Sequence, residues 1–200
     1  MVNLPSQEAL LRDIKQHPLT VLVMVVCGVF FILLQTHGLR ALAGWFMPAS
    51  HAELFQLSNI WKLWTPIFVH YTPTHLLANV ALWWIFATRI EKESRAKLLF
   101  ITLIAAAVSN YCQWYYRGPD FGGLSGVDFA LLGYVWLLYR FGGKQHYRFD
   151  PILGILMLAL IPVAATGYFG KYSDYAHVSG LLCGIVLAGI KLLRLKMAKQ

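Results

Sequence analysis

The stretch His177 to Leu193, HVSGLLCGIVLAGIKLL, decides how the chain folds. It opens on a histidine and then stays apolar as far as Lys191, with Gly180 and Gly184 spaced as G-x-x-x-G and Gly189 beyond. A tract of roughly 20 apolar residues can cross a hydrocarbon layer about 30 Å thick. Small residues four apart let a second helix come close to it. Working outward, five more tracts of this kind read as spans: Pro18 to Gln35, Thr74 to Ile90, Leu98 to Tyr116, a shorter one from Val127 to Tyr139, and Ile152 to Phe169. The 200 residues are 58% hydrophobic and only 13% charged, where a soluble globule carries about 25% charged residues. The expected fold class is therefore all-α, a polytopic bundle of six transmembrane helices. It forms one membrane domain over 18–194, between a short segment 1–17 and a basic tail 195–200.

The formal charge of +8 could suggest nucleic acid, but its distribution points to topology. With a cytoplasmic amino terminus, the inner segments hold Arg12, Lys15, Arg89, Lys92, Arg95, Lys97, Arg140, Lys144, Arg148, Lys191, Arg194, Lys196 and Lys199. The outer segments hold Arg40, Lys62, Arg117 and Lys171. This positive-inside bias puts both termini in the cytoplasm and leaves no role for nucleic acid. Ala41-Leu42-Ala43 resembles a signal-peptide cleavage site, but the apolar run before it is long, and Glu8 and Asp13 interrupt its leader. An uncleaved first helix is the better reading. Cys27, Cys112 and Cys183 stand singly and read as apolar fillers, neither staples nor zinc ligands.

The connection from Thr36 to Pro73 carries Trp45, Phe46, Met47, Phe55, Trp61 and Trp64. It is either a loop lying partly in the headgroup region, where such aromatics concentrate, or an ordinary loop with scattered aromatics. Gly126, Ala130 and Gly133 make a small face on the fourth span, so spans four and six are expected to pack together.

Polar groups at bilayer depth mark a site by default. Spans two, four and six all run from outside to inside, and their starts carry His70, His75 and Asn79, then Ser125, then His177. The topology thus gathers five polar groups in one leaflet. His75 and Asn79, four apart, share a helix face. Ser125 and His177 could meet at hydrogen-bond distance, the arrangement in which a base activates a serine for acyl transfer. In FGGLSG, Phe121 to Gly126, the glycines Gly122 and Gly123 are expected to turn the chain and Gly126 to leave room beside the hydroxyl. The helix start offers free N–H groups to developing negative charge. The stretch is not the hydrolase elbow G-x-S-x-G, because Val127 stands where the last glycine belongs.

These residues resemble the rhomboid family of intramembrane serine proteases, most closely its bacterial GlpG branch. The resemblance runs from about Trp61 to Gly184. It rests on His70-x4-His75-x3-Asn79, Gly123-Leu124-Ser125-Gly126 and Ala176-His177-x2-Gly180-x3-Gly184, with Gly118-Pro119, Gln113 and Glu91 also fitting. It implies a rhomboid-like bundle in the bacterial inner membrane and an endopeptidase that cuts transmembrane protein substrates near their outer ends. It implies Ser125 as nucleophile and His177 as base, without a third acidic member. The oxyanion hole would be the Ser125 N–H with His75 and Asn79, supported by His70, Gly123 and Phe129. A lateral gate and cap would come from the fifth span and the loop around Tyr168 to Tyr175. No metal or cofactor is implied, and the chain is expected to work as a monomer.

The sequence departs from the family pattern at several positions. Phe129 replaces a tyrosine, Lys62 an arginine, Pro66 a histidine and Asp120 an aromatic. Asp128 introduces a carboxylate three residues after Ser125, either as a third catalytic member or facing the recess or another polar partner. The cytosolic domain common in that branch is expected to be missing, since about 17 residues precede the first span. Two other functions compete: a metal-dependent membrane hydrolase using His70, His75 and His177, and a catalytically inactive relative that binds membrane helices. Chelators would separate the first, and the intact serine and histidine argue against the second.

Overall fold

A computed structural model describes residues 6–165 and 174–198. Among these the chain is helical without strands. Its α-helices are α1 (Gln7–Gln16), α2 (Pro18–His37), α3 (His51–Leu54), α4 (Pro73–Glu91), α5 (Arg95–Arg117), α6 (Ser125–Phe141), α7 (Pro151–Ala165) and α8 (Asp174–Met197). The six expected spans correspond to α2 and α4 to α8, most of them longer by a few residues at one or both ends. By length and composition alone α2, α5 and α8 could each cross a membrane, and α7 is a shorter apolar helix. Part of the expected fifth span and most of the gate loop, residues 166–173, lie outside the described residues. The helix α1 has no counterpart among the expected spans.

Helix ends are set by local chemistry. Ser94 caps α5 by accepting from the Lys97 N–H, and Thr72 caps α4 by accepting from the His75 N–H. Pro18 and Pro73 stand in first turns, where no backbone donor is required. The start of α2 is completed by a remote residue. Glu91 at the end of α4 accepts from the Leu19 N–H at 2.9 Å, the Thr20 N–H at 2.8 Å and the Thr20 hydroxyl at 2.7 Å. A carboxylate at a helix amino terminus satisfies orphan donors and suits the dipole, so Glu91 locks α2 onto α4.

The centre of the bundle is the contact of α6 with α8. A Cβ added at Gly180 would land on the Gly126 carbonyl, and one at Gly184 on the Ala130 carbonyl. From the other side, a Cβ at Gly133 would meet the Leu181 carbonyl oxygen at 2.8 Å. The two small faces thus bring backbone against backbone. Gly189 takes no part, since nothing lies within 4 Å of its would-be Cβ.

The long connection is built of short turns, 3-10 in character at Leu39–Trp45, Ile60–Leu63 and Thr65–Phe68. It is pinned to α5 by Trp114 donating to the Pro48 carbonyl, Asn110 to that of Leu63, and Trp64 to that of Leu103, each at 2.8 Å. Trp45, Phe55, Leu57 and Trp61 remain exposed. At the opposite end Glu93 gathers Lys97 at 2.8 Å, Lys191 at 3.0 Å, Lys144 at 3.5 Å and the Tyr147 hydroxyl. Burial works against the Glu93 charge, but hydrogen bonds from Lys97, Tyr147 and Lys191 outweigh it and hold the carboxyl well below its usual range. The cysteines are free.

Candidate active site

Ser125 is the first residue of α6, where an N–H has no intrahelical acceptor. The approach to it is fixed by Gly122 and Gly123. Gly123 has φ +120, a conformation that disfavours side chains, and its N–H donates to the Pro66 carbonyl at 3.0 Å. A Cβ there would also strike His75 Nε2 at 2.6 Å. Gly122 is required for proximity, because a Cβ would meet the Val69 carbonyl oxygen at 2.7 Å. Pro66 therefore serves through its carbonyl and needs no side-chain donor.

His70 supports this loop from beneath. Its Nδ1 lies 3.2 Å from the Phe68 carbonyl and must carry the proton, so Nε2 accepts from the Leu124 N–H at 3.4 Å. The His70 and His75 rings lie 4.9 Å apart. Both His70 nitrogens are thus engaged, and His177 Nε2 faces a serine. Among the described residues no group of three His, Cys, Asp or Glu side chains could hold a metal ion. The metal-ligand alternative therefore finds no triad of histidines here.

Ser125 Oγ lies 2.8 Å from His177 Nε2. His177 is 7% exposed, and the Phe129 ring stacks on it with centroids 4.5 Å apart and planes inclined by 24°. Stacking at residue 129 thus needs no hydroxyl. His177 is placed by α5 as well. The Gln113 side chain accepts from the Ala176 N–H at 3.1 Å, Arg117 pairs with Asp174 at 2.8 Å, and Tyr116 stacks on Tyr175 at 4.4 Å. The room at Gly126 is taken by neighbouring helices, where a Cβ would meet Ser109 Oγ at 2.7 Å and Ala176 Cβ at 3.3 Å. Ser109, Gln113 and Arg117 recur every four residues on α5, a polar stripe visible in sequence, with Ser109 against α6 and the other two against the start of α8.

His75, Asn79, Ser125, Asp128, Phe129 and His177 all line one cavity of about 1170 Å³. Asn79 Nδ2 donates to the His75 carbonyl at 2.8 Å, which leaves its second hydrogen free. Asp128 is fully buried, and among the described residues neither of its oxygens has a hydrogen-bond partner. His177 Nδ1 also lacks one, so Asp128 and His177 do not hydrogen-bond. Lys62 lies beside the Trp61 ring, 6.0 Å from its centroid.

The Rhomboid domain family model matches residues 57–194. This chain belongs to the rhomboid family. It is 35% identical over 195 residues to the Rhomboid protease GlpG of Yersinia enterocolitica, covering 93% of this chain and 68% of that protein. To the Rhomboid protease GlpG of Salmonella paratyphi A it is 35% identical over 187 residues, covering 90% and 65%. To that of Yersinia pestis strain Pestoides F it is 34% identical over 195 residues, covering 93% and 68%. The chain thus spans about two thirds of the length of these rhomboid relatives. With its apolar helices, this rhomboid is a bacterial multi-pass membrane protein.

Proposed function

We propose that this rhomboid is an intramembrane serine endopeptidase that cleaves transmembrane helices near their outer ends. The observation that carries the reading is the 2.8 Å approach of Ser125 Oγ to His177 Nε2 in the wall of a cavity of about 1170 Å³. His177 Nε2 takes the hydroxyl proton as Oγ attacks the scissile carbonyl carbon. The carbonyl electrons move onto oxygen, and the oxyanion receives hydrogen bonds from the Ser125 N–H, His75 and the free Asn79 hydrogen. On collapse the C–N bond breaks and His177 returns its proton to the leaving amine. Water deprotonated by His177 then attacks the carbon of the acyl group left on Oγ, the C–Oγ bond breaks, and His177 returns the proton to Oγ. Phe129 keeps the imidazole plane fixed through both transfers, and His70 and Gly123 hold the loop that presents the serine.

The proposal extends to topology and organisation. Both termini are cytoplasmic and the protein resides in the inner membrane, since the inner segments carry the excess of cations. Residues 18–194 form the membrane domain, 1–17 a short leading segment and 195–200 a basic tail. One chain is sufficient for activity, because the Ser125 and His177 side chains and the donors around them all come from it.

The test is purification in detergent, labelling with a serine-directed fluorophosphonate, and cleavage of a single-span substrate. The wild-type chain is expected to label and to cleave with or without chelator, and Ser125→Ala to do neither. Loss of cleavage with chelator, together with full activity of Ser125→Ala, would overturn the mechanism.

A further inference from the structure

The mechanism above makes no use of Asp128. It lies one turn beyond Ser125 on α6, is 0% exposed, and contributes to the wall of the cavity that holds Ser125. Neither carboxyl oxygen is reached by a donor among the described residues. The same cavity takes apolar lining from Ala78 and Leu82 of α4 and from Leu160 and Val163 of α7. A carboxyl group withdrawn from water without a partner is costly to the fold, and anything that supplies a hydrogen bond to it is correspondingly favoured.

We propose that Asp128 determines specificity by receiving a hydrogen-bond-donating side chain of the substrate, an amide or an ammonium, just inward of the scissile bond. This rests on the proteolytic reading of the same cavity. The register follows from geometry. Three residues of helix carry Asp128 about 4.5 Å deeper than Ser125, and an extended substrate advances about 3.3 Å per residue. The partner side chain is therefore the first or second residue on the membrane-inward side of the cut. Small differences between apolar side chains discriminate weakly. A pocket with an unpaired polar group discriminates strongly, because the wrong substrate leaves that group unsatisfied.

The experiment uses the full chain in proteoliposomes with single-span substrates that differ only at the first three positions inward of the cut, mapped by mass spectrometry. Leu, Asn and Lys are compared at each position. For the wild type, kcat/KM at the first or second position is expected to be about tenfold or more higher with Asn or Lys than with Leu. Asp128→Leu is expected to reverse that order. Asp128→Asn should keep the preference for Asn over Leu and lower the ratio of Lys to Asn substrates below that of the wild type. Fluorophosphonate labelling of Ser125 reports whether each variant has folded. If Asp128→Leu fails to label, the ratio of Lys to Asn substrates in Asp128→Asn decides the matter, and a ratio equal to wild type overturns the proposal. An unchanged Asn to Leu ratio in a labelled Asp128→Leu chain overturns it equally. Absence of cleavage of every substrate by the wild-type chain would instead overturn the proteolytic reading beneath it, and cleavage that survives Ser125→Ala would overturn its serine mechanism.

Discussion

Gly180→Ala adds one carbon at one of the two tight points between α6 and α8, against the residue that follows Ser125. The new Cβ would sit 2.9 Å from the Gly126 carbonyl carbon and closer still to its oxygen, where ordinary contact begins at 3.4 Å. Backbone cannot rotate aside as a flexible side chain would, so the helices must part by roughly 1 Å or more, at a cost of about 1–3 kcal/mol. Ser125 and His177 ride on these two helices, and their 2.8 Å contact would stretch beyond the ~3.2 Å that activation allows. A misplacement of about 1 Å costs about 100-fold in rate, so kcat should fall about 10- to 100-fold with little change in KM. The assay is steady-state cleavage of a single-span substrate in detergent, with Gly189→Ala as the control, since nothing lies near that glycine. Wild-type kcat in Gly180→Ala, or an equal loss in Gly189→Ala, would refute the reasoning.

Ser125→Ala should lower kcat about 10⁶-fold, read by single-turnover cleavage. Phe129→Ala removes the ring stacked on His177, an interaction of about 0.5–1.5 kcal/mol, and should reduce kcat several-fold, whereas Phe129→Tyr should retain activity. Glu91→Ala frees three donors at the start of α2 and should destabilise the bundle by a few kcal/mol, at about 1.5–3 kcal/mol for each hydrogen bond to a charged group, as measured by thermal unfolding in detergent. Glu93 gives an acid dependence. Its carboxyl is held below the usual value in the folded chain, so its stabilisation is fully present above the ordinary Glu pKa of about 4.3 and shrinks as the pH falls toward the lower folded value. Unfolding temperature should therefore drop between pH 5 and pH 3 by a larger margin in the wild type than in Glu93→Gln.

The spans were legible because apolar length is a property of the chain itself, and the pairing of α6 with α8 because glycines four apart leave a readable gap. The meeting of His75, Asn79, Ser125 and His177 in one cavity followed from the alternation of the spans, which brings the starts of α4, α6 and α8 together. Other features depend on partners far away in sequence. The turns of the long connection are held by Trp114, Asn110 and Trp64 reaching carbonyls that no local pattern identifies. The cap on α2 comes from Glu91, 71 residues beyond Thr20. The room at Gly126, expected to serve the hydroxyl, is occupied by Ser109 and Ala176, a three-helix meeting that two-helix reasoning could not foresee.

Ser125 and His177 hang on α6 and α8, and α5 braces the start of α8. Helix α7 stands apart from this frame: of its described residues only Gly154 and Met157 are buried, and Ile152, Ile155 and Leu156 are each at least 60% exposed. Lipid tails therefore complete its packing. Bilayer thickness and tail order should tilt or shift α7 at modest cost, tuning how readily a substrate is admitted while the chemistry beside it keeps its alignment.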